Sequence, residues 1–127
     1  MGDIHEMAMK FMSVRTNIKF YHWRTSFFAA HKSSDEFLSK FDENIDKIVE
    51  YIQGSRGTRV ILSNCSEGFE LYDVNDTNIV AYLNHFKLWL TTIFTKSLDS
   101  KTDVDILALR DEVVGDINQF IYLLSFS

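Results

Sequence analysis

Apolar residues recur at steps of three and four in four separate segments of this chain, and no proline interrupts any of them. Such steps follow one face of an α-helix, and proline would end or kink a helix, so the pattern predicts four long helices. We expect them at about 3–24, 33–53, 76–96 and 102–124. The chain, 1–127, is therefore predicted to be one all-α domain built as a four-helix bundle.

Local signals predict where the first two helices begin and end. Asp3, with Glu6 three residues later, suits the N-terminus of the first helix. Ser33 or Ser34 can cap the start of the second helix. Residues 54–57 contain two glycines and are expected to end it.

Two connections decide how the helices are arranged. The first, at 25–31, is predicted to be tight, and three aromatic residues near it are expected to cap the end of the core: Trp23, Phe27 and Phe28. The second, at 54–76, is long, so it must cross an end or a side of the molecule. Its Phe69, Leu71 and Tyr72 suggest a small helix or turn packed on the bundle. One crossover between the second and third helices is the ferritin-like arrangement.

Composition and charge exclude several classes of function. The formal net charge of −5 and the absence of a Lys-rich tail argue against nucleic-acid binding through a basic surface or tail. No apolar run is long enough to span a membrane, and Met1 to Lys10 lack the apolar run of a signal peptide. Cys65 is the single cysteine, so no internal disulfide can form. We therefore expect an intracellular, cytoplasmic protein that does not insert into membranes.

The second predicted helix has a third face beside its apolar and solvated ones. Each helical residue advances by about 100°, so five polar side chains fall within an arc of about 100°. They are His31, Asp35, Asp42, Asp46 and Glu50. Imidazole and carboxylate groups together suit Fe, Mn or Zn. The alternative is that these residues form an ordinary solvated charged face without a metal. The metal-site hypothesis does not need Asp42 as a ligand.

The spacing divides this face into two half-sites. His31 and Asp35 lie one helical turn apart, as do Asp46 and Glu50, but the two pairs are separated by about 15 residues, or roughly 22 Å. Both pairs of one chain therefore cannot hold the same metal. A second copy running antiparallel along this helix, with a two-fold axis near residues 40–42, would bring each pair against the other pair of its mate and form two equivalent sites.

His22 is a further candidate ligand. It ends the first helix near the start of the second, so it could join His31 and Asp35. It also lies four residues after Ile18 on the apolar stripe, so the alternative is a core-facing histidine satisfied by one neighbour. A di-iron centre inside a single bundle would need carboxylates on all four helices, and residues 78–97 contain none. Because the third helix lacks these carboxylates, the sequence excludes a di-iron centre inside a single bundle.

The run YHWRTSFFAAHKSSDEFLSKFDENIDKIVE, residues 21–50, resembles the signature region of the Dps-like miniferritins, the family of DNA-binding proteins from starved cells. The matching features are His22-Trp23, Phe27-Phe28 with His31 three residues later, Asp35, Asp46 and Glu50. The resemblance implies a ferritin-like bundle whose ferroxidase centres form across a dimer two-fold. It assigns His22, His31 and Asp35 to one chain and Asp46 and Glu50 to its mate.

The resemblance also implies an activity and partners. Family members oxidise Fe(II) with peroxide or oxygen and store the ferric product in a shell of about twelve chains, and many protect DNA. Iron, as a mono- or di-iron centre, is the expected metal, with zinc as an alternative. His22, His31, Asp46 and Glu50 would be ligands, and Asp35 a ligand or the hydrogen-bond partner that orients one. The alternative function is a ferritin-like dimerisation or interaction module with a structural metal or none.

Overall fold

The computed structural model describes residues 4–65 and 68–126. Most of them lie in four helices: α1 Ile4–Arg24, α2 Phe28–Arg56, α3 Ile79–Trp89 and α4 Val104–Leu124. α3 continues into a π-helical turn, Leu90–Phe94, and a 3₁₀ turn, Leu62–Asn64, lies between α2 and α3. These residues contain no strand, which confirms the predicted all-α class and agrees with a four-helix bundle. They also contain no helix long and apolar enough to cross a membrane.

Aromatic rings fill the centre of the protein and join all four helices. Phe11 of α1 packs edge-on against Phe41 of α2 and Phe86 of α3, with ring centroids 6.4 Å apart in both pairs. Phe120 of α4 stacks on Phe37 of α2 at 5.1 Å. Such ring pairs contribute about 0.5–1.5 kcal/mol each beyond the burial of their area. Aromatic side chains from all four helices therefore make up much of the buried core.

The connection between α1 and α2 is shorter than predicted. It spans 25–27 instead of 25–31, because α2 begins at Phe28. Ser33 and Ser34, predicted as possible caps, are both buried inside the helix beyond its first turn. That prediction was wrong because serine also suits a buried helical position where its hydroxyl bonds to the backbone one turn earlier. Ser33 Oγ donates to the carbonyl of Ala30 in this way.

A carboxylate from outside these helices holds the short connection in place. Asp76 accepts hydrogen bonds from Tyr21 Oη at 2.9 Å, from Thr25 Oγ1 at 2.6 Å and from the backbone N–H of Ser26 at 3.4 Å. Burial favours the neutral acid, but the bonds from Thr25 and Tyr21 hold the pKa of Asp76 below its usual range. Burial also raises the pKa of Tyr21 to about 12. The same network therefore fixes the end of α1 and the residues that precede α3.

The three aromatic residues near this connection do not cap the core as predicted. Trp23, Phe27 and Phe28 are 63%, 44% and 77% exposed. The early start of α2 places Phe28 in its solvent-facing first turn, and the buried side chains of Tyr21 and Val74 occupy the core instead. The result is an exposed aromatic patch next to the two histidines of the predicted site.

The end of α2 follows the predicted glycine mechanism. Gly57 has a φ of 68°, in the left-handed region where glycine carries no steric penalty, and its N–H donates to the carbonyl of Gln53. The predicted ending within 54–57 is therefore confirmed. The predicted cap at Asp3 lies outside the described residues.

The long connection between α2 and α3 lies along α1. Near the start of α1, His5 Nδ1 accepts a hydrogen bond from the backbone N–H of Ile61 at 2.9 Å. In the last turn of α1, Arg24 forms an ion pair with Asp73. The connection therefore contacts α1 from its first turn to its last.

One buried amide, Asn17, fixes the middle of this connection. Its Nδ2 donates to the carbonyl of Glu70 at 3.0 Å and to Tyr82 Oη at 2.9 Å, and its Oδ1 accepts from the N–H of Tyr72 at 3.0 Å. These bonds satisfy backbone groups that a helix would otherwise pair internally. The predicted small helix or turn at 69–72 is therefore wrong, and the segment has no regular secondary structure.

Replacing Asn17 tests how much the bundle depends on this attachment. Asn17→Ala removes three hydrogen bonds and leaves polar groups of the connection without partners, so we expect the free energy of unfolding to fall by about 2–4 kcal/mol. Asn118→Ala is the matched control, since its exposed amide bonds only to Lys87 among the described residues. Urea unfolding followed by circular dichroism measures both, and equal losses would contradict this role for Asn17.

Candidate metal centre

The short connection brings His22 and His31 face to face. Their ring centroids lie 4.0 Å apart and the ring planes differ by 17°. Each ring is bonded to the backbone of the other residue: His22 Nδ1 donates to the carbonyl of His31 at 2.8 Å, and His31 Nδ1 donates to the carbonyl of His22 at 2.9 Å. This reciprocal pair locks the orientation of both rings where α1 ends and α2 begins.

The reciprocal bonds also determine which ring nitrogen is left for a ligand. A carbonyl oxygen can only accept, so Nδ1 carries the hydrogen in both rings and, in the neutral imidazole, Nε2 keeps its lone pair. No described residue bonds to either Nε2. Metal-binding histidines usually have this arrangement, with the second nitrogen donating to a carbonyl or carboxylate. His22 is buried, as expected for a core-facing histidine. Its Nε2 forms no bond with any described residue, and a metal ligand would need this nitrogen.

Ser34 is a part of this site that the sequence interpretation missed. Its Oγ lies 2.8 Å from His22 Nδ1 and donates to the carbonyl of His31 at 3.0 Å. It therefore supports both members of the histidine pair. Its position three residues after His31, on the same side of the helix, was the available signal, but serine near a predicted helix start was interpreted as a cap.

The remaining predicted residue of this half-site, Asp35, lies one turn beyond His31 on α2. Its side chain is exposed and forms no hydrogen bond with any described residue. The structure therefore places Asp35 one helical turn from His31, without a hydrogen bond to the described residues.

The second half-site consists of two carboxyl groups, those of Asp46 and Glu50. Both are exposed, and they are close enough to share a hydrogen bond. That hydrogen bond, together with the negative charge of Asp46, raises the pKa of Glu50. Two neighbouring carboxylates with this arrangement are a candidate half-site for a cation.

The two half-sites remain apart within one chain. α2 is continuous over Phe28–Arg56, so the roughly 15 residues between the pairs correspond to about 22 Å. Across the described residues, no group of three or more His, Cys, Asp or Glu is arranged to hold a metal ion. Each half-site therefore lacks enough ligands by itself, and the prediction that they serve one metal requires a second copy.

Asp42, between the two half-sites, has a partner that the sequence interpretation did not identify. Arg15 Nε donates to Asp42 Oδ1 at 2.7 Å, and Arg15 Nη2 donates to Oδ2 at 3.4 Å. Two copies of Asp42 close to the proposed two-fold axis would repel each other. Arg15 supplies the compensating positive charge on the same chain.

The described residues form an all-helical fold with a histidine pair where α1 meets α2 and a carboxylate pair further along α2. The chain belongs to DUF5856, a family of unknown function, whose model matches residues 22–124. No curated protein matches the chain, and no solved structure does. The family assignment gives no activity, so the function has to be argued from the site.

The carboxylate pair makes a direct prediction about titration. In Asp46→Asn the neighbouring negative charge is lost, so the pKa of Glu50 should fall toward its ordinary value. Asp35→Asn, which changes a carboxylate on the same face far from Glu50, should leave that pKa unchanged. Carbon-detected NMR of the side-chain carboxyl groups against pH measures both, and an unchanged Glu50 in Asp46→Asn would show that the two groups do not interact.

Proposed function

We propose that this protein is a Dps-like ferroxidase that binds and oxidises Fe(II) at sites formed between two copies of the chain. Each site would take His22, His31 and Asp35 from one copy and Asp46 and Glu50 from the other. Two equivalent sites then form per dimer, related by a two-fold axis near residues 40–42 of α2.

The reciprocal histidine pair is the observation that carries this proposal. Both Nδ1 atoms donate hydrogen bonds to backbone carbonyls, so both Nε2 atoms remain available to bind a ligand. A merely structural histidine pair has no need for a facing set of carboxylates, but α2 carries Asp46 and Glu50 where a two-fold mate would place them opposite the rings. Nitrogen and carboxylate ligands in this combination suit Fe(II).

The proposed chemistry follows from the ligand set. The carboxylates of Asp35, Asp46 and Glu50 are hard oxygen donors, which bind Fe(III) more strongly than Fe(II) and so lower the cost of removing one electron. Iron is the substrate here, with hydrogen peroxide or oxygen as the oxidant. With peroxide, two Fe(II) ions each give up one electron, the O–O bond breaks, and two hydroxide ions form, which take up two hydrogen ions from the solution to give water.

The surface that carries both half-sites also suits a second copy. At one end Trp23 and Phe28 are largely exposed. At the other end a groove of about 800 Å³ lies between α1 and α2, and its lining includes Met12, Asp46 and Val49. The proposed two-fold axis lies between these features, so it would place the aromatic residues of each copy over the groove of the other. The operation that completes the sites would then also bury exposed apolar surface.

The path of the long connection supports the ferritin-like arrangement within this proposal. It leaves α2 near His5 in the first turn of α1 and reaches α3 near Arg24 in the last turn. A connection that travels the length of α1 lets α3 start at the same end as α2 and run in the same direction. That is the effect of a ferritin-like crossover.

A dimer with a structural metal, such as zinc, or with none is the alternative function. The exposed aromatic patch would serve such an interaction module equally well. Native mass and metal content separate the two: a shell of about twelve chains that gains iron supports storage, and a bare dimer without iron oxidation supports the module.

Mixing two inactive variants tests the shared site directly. His31→Ala and Asp46→Ala should each oxidise Fe(II) no faster than buffer, because each damages both sites of its homodimer. In a mixed dimer one site receives both substitutions and the other receives neither. After unfolding and refolding together, an equal mixture should regain about one quarter of the wild-type rate per chain.

The matched control is Glu36→Ala, which removes an exposed carboxylate on the solvated face of α2 and should leave the rate unchanged. A mixture that stays inactive, although mass spectrometry shows mixed dimers, would contradict sites shared between chains. Wild-type rates in both single variants would contradict the whole assignment.

The proposed contact surface makes a separate prediction that does not require iron. Trp23→Ala should weaken dimerisation by about tenfold or more, since the loss of a large aromatic side chain buried in an interface commonly costs more than about 1.4 kcal/mol. Leu88→Ala, which truncates a 59% exposed side chain on α3, is the control and should not change it. Sedimentation velocity over a concentration series measures both, and a dimer insensitive to Trp23 would place the contact elsewhere.

A further inference from the structure

A second candidate binding site lies between α1, the residues around Glu70 and α3. It is a cavity of about 510 Å³, and its lining includes none of the predicted metal ligands. A neighbouring recess of about 470 Å³ shares Lys10, Glu70, Tyr72 and Tyr82 with it. This space exists because the long connection is attached to α1 through individual side chains instead of packing as a helix.

Aromatic rings form much of the cavity wall. Tyr72 and Tyr82 have ring centroids 6.1 Å apart, and Trp89 lies further along α3. The indole is held against the core by Phe11 at 5.6 Å and Phe86 at 5.9 Å, so its position is fixed. The rings therefore offer a rigid surface to a ligand.

The helix changes its geometry at this wall. The π-helical turn Leu90–Phe94 begins directly after Trp89, and Ile93 within it also lines the cavity. Ile93 is 41% exposed, although it lies seven residues after the buried Phe86 and would share its face in a regular α-helix. A π-helical turn is less favourable than regular α-helix and is frequently found at functional sites.

The charged groups of the cavity determine which ligands it can accept. Glu6 and Glu70 supply two carboxylates, and Lys10 and His85 supply an ammonium and an imidazole. Tyr72 Oη donates to Glu70 Oε2 at 2.8 Å and so orients that carboxylate. Lys10 Nζ already lies 5.8 Å from the centroid of the Trp89 ring, a distance at which a cation is attracted to an indole face.

We propose that this cavity binds a small organic cation, a primary amine on an aryl or alkyl stem. The ammonium group would pair with the Glu70 carboxylate, which Tyr72 Oη orients, and the stem would pack against the Trp89 and tyrosine rings. The Lys10 ammonium already lies over the Trp89 ring and would compete with the ligand for it. An anionic ligand would instead need Lys10 as its partner and would be repelled by both carboxylates.

Benzylamine and benzoate test the sign of the ligand charge, because they have similar size and the same ring. Isothermal titration calorimetry on the full chain should detect benzylamine and not benzoate. In NMR spectra the indole N–H signal of Trp89 should shift with benzylamine while that of Trp23 does not, the two being assigned with Trp23→Phe. Tighter binding of benzoate, or no shift of the Trp89 signal, would overturn the proposal.

Two variants test the roles of the charged residues. Glu70→Gln should weaken benzylamine binding by about five- to tenfold, while Glu36→Gln, outside the cavity, should leave it unchanged. Lys10→Met should tighten benzylamine binding, since it removes the competing ammonium. Weaker benzylamine binding in Lys10→Met would contradict that competition. Iron oxidation is measured separately, so none of these binding results decides whether the protein is a ferroxidase.

Discussion

The amide of Asn17 is the interaction on which the arrangement of this protein most depends. A connection of more than twenty residues has to pass from α2 to α3, and its backbone N–H and carbonyl groups need partners wherever it lies against the protein. Asn17 satisfies three polar groups with one side chain, and Ser13, one turn earlier, accepts from the N–H of Glu70. Through these bonds the connection follows α1, and its path determines where α3 begins. The aromatic cavity lies beside the attached segment.

At the candidate metal centre, the histidine pair likewise uses side-chain bonds to backbone groups to join two elements. His22 and His31 join two helices through bonds between rings and backbone carbonyls, so their orientation does not depend on a bound metal. A ligand would find two imidazoles already positioned, and little conformational entropy would be lost on binding. The carboxylate pair of Asp46 and Glu50 is different, because it is exposed and held by mutual contact.

The sequence predicted those parts of the structure that depend on periodic spacing. The four helices and the buried positions of α2 follow from residues three and four apart, and the ending near Gly57 follows from the left-handed conformation that glycine permits. Spacing along one helix also placed His31, Asp35, Asp46 and Glu50 on one face. These features are local, and the three-dimensional neighbours change them little.

The incorrect predictions concern side chains whose partners are distant in the sequence. Asp76 holds the loop at Thr25 from 51 positions away, so the loop could be shorter than serine capping suggested. Arg15 pairs with Asp42 across 27 positions, and no local pattern marks that pair. The outward rotation of Ile93 follows from a π-helical turn, which a regular helical period cannot represent.

The Arg15–Asp42 pair has a consequence for how two copies could meet. It lies near the middle of the surface that the proposed axis would cross, and each chain brings one guanidinium and one carboxylate there. A two-fold rotation turns the second pair around, so that opposite charges of the two molecules can alternate in a closed ring of four. Such a ring has no net charge and fits only one mutual orientation, and the centre of the contact would then select the antiparallel alignment before any iron is bound.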